Sequence, residues 1–92
     1  MNHLPPTAGS AVRWIHERAA SLGLDYSTIK AATPDASYQR IVNYFTRDTL
    51  SIQAVGILAP VLKISEGERL ALYEAIANDK RSRQAGDAAV VA

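Results

Sequence analysis

The sequence contains no cysteine, and its 92 residues carry a net charge of only +1. The lack of cysteine excludes disulfides and thiolate-bound zinc, and it fits a reducing compartment. The near-neutral charge means that nucleic-acid binding must be argued from where individual charges lie. No apolar run approaches the ~20 residues that span a bilayer, and MNHLPPTAGS lacks the features of a signal peptide. We therefore expect a soluble cytoplasmic protein with no membrane partner.

The sequence also lacks the residue groupings that mark catalytic sites. It has no Gly-rich phosphate loop, and its Ser, Asp and His residues show no spacing typical of a nucleophile and its base. His3 and His16 have no partner at metal-ligand spacing. We therefore predict no enzymatic activity, no catalytic residues, no cofactor and no metal.

What the sequence does contain is helical periodicity in a chain that is 48% apolar. This length predicts one domain with a modest core. No strand pattern occurs, so the predicted class is all-α, with five short helices. Prolines and a glycine predict a flexible N-terminal arm over residues 1–9, ahead of a domain over residues 10–78. Periodicity is lost in a charged C-terminal tail, residues 79–92, predicted to be mostly disordered.

Caps and turn residues place the helix boundaries. Ser10 is the predicted cap of a first helix that Gly23 ends. Pro34 ends the second helix. The caps of the second, third and fourth helices are predicted at Asp25, Ser37 and Ser51. The inward-facing residues of the second, third and fifth helices (the last over residues 66–77) are predicted to be Ile29, Ala32, Ile41, Tyr44, Leu70, Tyr73, Ile76 and Ala77.

One pattern is more specific than periodicity. In the segment SIQAVGILAPVLKIS, residues 51–65, apolar positions recur at helical spacing up to a final Ile-Ser. Gly23-Leu24 ends the first helix, and apolar anchors lie four residues after the Asp25 cap and four and seven residues after the Ser37 cap. Over residues 11–70 this arrangement resembles the Cro/repressor-type helix-turn-helix family. The resemblance implies a five-helix lambda-repressor-like domain, with residues 37–45 as its recognition helix.

The sequence departs from that family at three places. The turn at residues 33–36 is one residue longer than usual and lacks the common glycine. Tyr44 replaces an aliphatic residue, so its hydroxyl needs water or a partner. Pro60 lies inside the predicted fourth helix, where a proline costs ~3 kcal/mol.

The resemblance implies double-stranded DNA as the partner and a small transcriptional regulator, in a bacterial or phage-infected cell. A recognition helix enters the major groove with its N-terminal residues at base edges. The implied base-contacting residues are Tyr38, Gln39, Arg40 and Asn43. The implied backbone-contacting residues are Tyr26, Lys30, Ser37 and Arg47. Members of this kind usually dimerise, and the apolar residues Leu70, Tyr73 and Ile76 of the fifth helix are the candidate dimer interface.

Simpler alternatives remain open for these residues. Gln39, Arg40 and Asn43 could form a solvated helix face. The basic cluster at residues 80–83 could bind phosphate, but such a cluster near a terminus is more typical of solvated charge. A second functional class is also open: a helix-turn-helix scaffold repurposed for protein contacts, such as an antitoxin, an antirepressor or a phage inhibitor of a host protein. Aromatic residues at positions 38, 44 and 45 suit such contacts. The response to salt distinguishes DNA binding from an apolar protein contact.

Overall fold

The chain is all-helical over the part that the structure, a computed structural model, describes. The backbone is described over residues 9–91 and the side chains over residues 9–81. These residues form five helices and no strand, as predicted: α1 (Ser10–Ser21), α2 (Tyr26–Ala32), α3 (Tyr38–Thr46), α4 (Ile52–Leu58) and α5 (Glu66–Val91). None of the described helices is both long and apolar enough to cross a bilayer. The predicted arm lies outside the described residues except for Gly9.

Three helices begin at the predicted caps. In each case the side-chain oxygen of the cap accepts a hydrogen bond from the backbone N–H three residues later, at 2.8–3.1 Å. This bond satisfies an N–H that has no partner within the helix. The confirmed caps are Asp25 for α2, Ser37 for α3 and Ser51 for α4.

The start of α1 differs from the prediction. Its N-cap is Gly9 rather than Ser10, and Gly9 has no side chain to accept a hydrogen bond. Instead the Asp79 carboxylate of α5 accepts from the backbone N–H groups of Ser10 and Ala11, at 3.1 and 3.2 Å, and from the Ser10 hydroxyl at 2.9 Å. The Gly9 N–H donates to the Asp48 carbonyl at 2.8 Å. The first helix is therefore capped by a residue 69 positions later, which no local sequence pattern indicates.

One core joins the helices. α1 packs against α5 and α3, α2 packs against α3, and α4 packs against α5. The largest fully buried side chains are Val12, Ile15, Ile29, Ile41, Phe45, Val55, Leu58, Leu62 and Leu72. In α2 the predicted inward position Ala32 was wrong, since it is exposed. Thr33 and Ala36 of the following turn are buried instead. Ile52, the first apolar residue of the segment 51–65, is 57% exposed at the start of α4.

The fourth helix ends earlier than predicted. α4 stops at Leu58, so Pro60 lies in the following turn and its predicted cost inside a helix is not incurred. The chain continues as turns in which the Leu62 N–H donates to the Leu58 carbonyl at 2.8 Å. Lys63 then adopts a left-handed conformation, with φ 53°. Leu62 and Ile64 are still buried in the core, so the apolar spacing identified core residues even where the chain is not helical.

The fifth helix ends later than predicted. α5 continues to Val91, well beyond Ala77, because residues 78–85 contain good helix formers and no proline. The loss of apolar periodicity marked where the helix leaves the core rather than where it ends. Its buried residues are Leu72 and Ile76, whereas Leu70 is 62% exposed and Ala77 is exposed. The side chains predicted for the tail beyond residue 81 lie outside the described residues.

Candidate nucleic-acid interface

The turn between α2 and α3 is held without a glycine. The Thr33 hydroxyl donates to the Ile29 carbonyl at 2.7 Å, and the Ala36 N–H donates to the Thr33 carbonyl at 3.1 Å. Both Thr33 and Ala36 are buried. These two hydrogen bonds therefore close the turn without a glycine, and they set the direction in which α3 begins.

One side of α3 faces the core and the other faces outward. Ile41 and Phe45 are fully buried, which holds the helix against α1 and α2. Three of the four predicted base-contacting residues, Gln39, Arg40 and Asn43, lie on the outward side, which we call the polar face of α3. Tyr38 lies at the N-terminal end of α3, three and seven residues before the buried Ile41 and Phe45 and so on their side of the helix. Tyr38, Gln39 and Arg40 are exposed and Asn43 is partly buried.

Two amides of the polar face are hydrogen-bonded to each other. The Gln39 side-chain N–H donates to the Asn43 side-chain carbonyl at 3.0 Å, one helical turn away. Each amide keeps unused hydrogen-bonding capacity, since each carries two N–H donors and an acceptor oxygen. The pair therefore presents donors and acceptors outward in a restricted geometry.

Aromatic rings connect the N-terminal end of α3 to the core. Tyr38 is 48% exposed and packs edge-on against Tyr26, with ring centroids 6.1 Å apart. Tyr26 in turn contacts Phe45 at 5.7 Å, and burial raises the pKa of Tyr26. His16 packs against the Phe45 ring, and its Nε2 donates to the Phe45 carbonyl at 2.5 Å. Tyr26 is thus partly a packing residue, and His16 is a support that the sequence did not indicate.

The other three predicted backbone-contacting residues, Lys30, Ser37 and Arg47, differ in the contacts that their side chains make. Ser37 uses its hydroxyl oxygen as the α3 cap. Lys30 donates to the Pro34 carbonyl at 3.5 Å, which holds its ammonium near the turn. Arg47 is exposed directly after α3. Only Arg47 among these three extends a side chain with no described partner.

A groove of about 440 Å³ lies beside the polar face. We call it the basic groove, because three of its lining residues, Arg40, Arg47 and Lys80, are cations and none is acidic. The rest of its lining comes from α3, the α3–α4 connection and α4: Asn43, Tyr44, Thr49, Leu50, Ser51 and Gln53. The sequence interpretation treated Lys80 as solvated charge, and only the course of α5 brings it beside Arg47.

Tyr44 lines the basic groove and has an unusual hydroxyl. The sequence required this hydroxyl to find water or a partner, yet it is buried with no hydrogen-bond partner. Such an orphaned donor costs roughly 1–3 kcal/mol. Tyr44 thus combines a lining position with a buried hydroxyl that no described residue satisfies.

The candidate dimer residues do not share one surface. Leu70 is 62% exposed and Tyr73 is partly buried, whereas Ile76 is 2% exposed and packs within its own core. Ile76 is consequently not available to a second copy of the chain in this conformation. The difference arises because the core-facing stripe of α5 runs through Leu72 rather than Leu70.

Arg18 is a structural residue that the sequence analysis missed. Its guanidinium lies 4.6 Å from the Trp14 ring centroid, donates to the Leu62 and Lys63 carbonyls at 3.2 and 3.0 Å, and pairs with Glu68. The N–H of Ser65, followed by Arg18, holds the pKa of Glu68 below its usual value. Arg18 thus fixes α1 to the connection between α4 and α5.

Comparison of the chain with family models, curated proteins and solved structures finds no match. The resemblance to Cro/repressor-type proteins therefore stays a prediction from the residues. Among the described side chains, no three His, Asp or Glu residues lie close enough together to hold a metal ion.

Proposed function

We propose that the protein is a small sequence-specific DNA-binding regulator that places α3 in the major groove. The observation that carries this proposal is the polar face of α3. Its N-terminal turn exposes Tyr38, Gln39 and Arg40, while Ile41 and Phe45 anchor the opposite side in the core. A helix held from behind with an exposed polar N-terminal turn matches the docking geometry of helix-turn-helix proteins.

The amide pair would supply the base specificity. Gln and Asn side chains can each form a two-point hydrogen bond with adenine, worth ~1–3 kcal/mol of discrimination per base pair. The hydrogen bond between Gln39 and Asn43 limits their rotamers before binding, which lowers the entropy lost on complex formation. Tyr38 would contact a phosphate or a thymine methyl group. Arg47 would contact the backbone, which sets position but carries no sequence information.

The regulator would act as a dimer on an operator, excluding or recruiting polymerase. Two α3 helices would then enter successive major grooves ~34 Å apart. The exposed Leu70 and the partly buried Tyr73 are the apolar residues of α5 that a second copy would cover. Sedimentation at high concentration, with and without DNA, tests this part. A monomer under both conditions would exclude the dimer and leave the DNA-binding proposal in place.

Selection from a randomised duplex library tests the main proposal. The wild type would be compared with Gln39→Ala/Asn43→Ala at two salt concentrations. Asn78→Ala, which removes an exposed amide from α5, is the matched control. We expect a motif that the wild type and the control select and the double variant loses. A palindromic motif would support the dimer, and an affinity that falls steeply with salt would indicate phosphate contacts.

The library selection also has a defined negative outcome. If no motif emerges and no duplex binds at low salt, the proposal is wrong. Circular dichroism of the double variant separates lost recognition from lost folding.

A second candidate is a scaffold for protein contacts, with a host protein as the partner. The observation that favours it is the exposed ring of Tyr38, which packs edge-on against the ring of Tyr26. Aromatic side chains in such settings are common anchors of protein interfaces. An apolar protein contact would respond weakly to salt and would be lost in Tyr38→Ala, while Gln39→Ala/Asn43→Ala would have a smaller effect.

A further inference from the structure

The cations of the basic groove come from two distant parts of the chain. Arg40 and Arg47 lie at the two ends of α3, whereas Lys80 lies on α5, 33 positions after Arg47. All three are exposed at the rim of one groove of about 440 Å³. The fold thus assembles a positive site that the sequence shows only as isolated charges.

Among the described side chains, these three cations have no ion-pair partner. Arg18, by comparison, pairs with Glu68, and Arg81 donates to the Asn78 side-chain carbonyl. By contrast, no described carboxylate pairs with Arg40, Arg47 or Lys80. Three like charges around one groove repel one another, and a bound anion would remove that repulsion.

We propose that the basic groove binds a phosphate-bearing anion, with Lys80 of α5 as its third cation. The volume is within the range of small-molecule sites, and the lining offers neutral donors beside the cations, from Thr49, Ser51 and Gln53. Tetrahedral phosphate oxygens accept several such bonds at once, and guanidinium groups match their geometry.

A DNA backbone phosphate and a free phosphorylated molecule offer the same chemistry to this groove. Arg40 and Asn43 belong both to the groove and to the polar face of α3. This part of the inference rests on the proposed DNA-binding function: a free anion in the groove would oppose duplex binding. A duplex phosphate in the groove would instead add Lys80 to the DNA contacts.

Inorganic pyrophosphate is the first probe, titrated at low salt into the ¹⁵N-labelled full chain and followed by NMR. We expect saturable shifts at residues 40–53 and 80. Lys80→Gln and Arg47→Gln should each weaken binding roughly fivefold or more. Lys63→Gln, which removes an exposed cation between α4 and α5, is the matched control and should leave the affinity unchanged.

The proposal is overturned if pyrophosphate produces no saturable shift in the groove. It is also overturned if Lys63→Gln weakens binding as much as Lys80→Gln, because the response would then reflect net charge. The circular dichroism spectrum of each variant shows whether it is folded before it is titrated.

Duplex DNA then identifies the source of the phosphate. If the groove holds a backbone phosphate, Lys80→Gln reduces the slope of log affinity against log salt by ~0.9. If the ligand is a free molecule, pyrophosphate binds and Lys80→Gln leaves that slope unchanged. Pyrophosphate binding together with a failed duplex selection would reject the proposed function and retain the anion site.

Discussion

Removing the Asp79 carboxylate should uncap a helix that lies 69 residues earlier in the chain. Asp79 accepts three hydrogen bonds from Ser10 and Ala11 at the start of α1, where Gly9 offers no side chain. Loss of an N-cap typically costs ~1 kcal/mol, within a range of about 0.5–2 kcal/mol. The interaction of a carboxylate with the helix dipole adds roughly 0.3–1 kcal/mol. We therefore expect Asp79→Ala to lower the free energy of unfolding by about 2 kcal/mol.

Urea denaturation followed by circular dichroism measures this loss. A change of 1 kcal/mol shifts Tm by roughly 4–8 °C in a domain of this size, so thermal unfolding should shift by about 8–16 °C. Asp79→Asn keeps an acceptor oxygen and loses the charge, so it should cost about half as much. Asp35→Ala, at an exposed turn position, is the matched control and should stay within ~0.5 kcal/mol of the wild type.

Gly9 allows a second test of the same contact. A methyl group at this position would overlap the Asp79 carboxylate, so Gly9→Ala should displace the cap. The effects of Gly9→Ala and Asp79→Ala should therefore not add, because both remove one interaction. Additive effects, or a loss below ~0.5 kcal/mol for Asp79→Ala, would refute the long-range cap.

Three further predictions concern stability. Tyr44→Phe should raise the free energy of unfolding by up to ~1 kcal/mol, measured in urea, because it removes a buried hydroxyl that has no partner. Lys63→Gly should raise it by roughly 0.5 kcal/mol, since the left-handed strain relieved exceeds the entropy added to the unfolded chain. Stability should fall on acidification below pH ~4.3, the ordinary pKa of a glutamate, because Glu68 has a lowered pKa in the folded state. Its contribution is present above the unfolded pKa and is lost as pH falls through the folded pKa, so Glu68→Gln should flatten a urea midpoint series between pH ~5 and ~3.

Each of these three stability predictions can be contradicted by a specific outcome. Destabilisation by Tyr44→Phe would mean that the hydroxyl has a partner, such as an ordered water. Lys63→Ala keeps the strain and should change little, so an equal gain in Lys63→Ala and Lys63→Gly would exclude the backbone explanation. An unchanged pH slope in Glu68→Gln would remove this carboxylate from the acid response.

The parts of the fold that were predictable from sequence depend on neighbours in the chain. Asp25, Ser37 and Ser51 each bind an N–H three residues away, so a local pattern was sufficient to find them. The apolar spacing after Ser51 also identified core residues, even though α4 ends before Pro60. Periodicity identifies the buried face but does not distinguish a helix from a series of tight turns with similar spacing.

The parts that were not predictable depend on distant contacts. Asp79 caps α1, and Lys80 joins Arg47 at the basic groove, because α5 continues past the end that its apolar pattern suggested. The buried face of α5 was predicted wrongly for a related reason. Leu70 and Leu72 are both apolar, and only packing against α1 and α4 determines that Leu72 is the buried one. The polar face of α3 was predicted as a group, whereas the hydrogen bond between its amides depends on side-chain rotamers that the sequence does not specify.

The contacts of α1 also bear on how the protein forms during synthesis. Arg18 pairs with Glu68, and the start of the same helix is capped by Asp79. At ~5–20 residues per second, a ribosome reaches residue 79 several seconds after it has made residue 10. During that interval the nascent α1 has neither its cap nor its ion pair, and its apolar side has no α5 to cover it. Among the described helices, α1 is therefore synthesised first, yet its cap and its ion pair form only after α5 has been made.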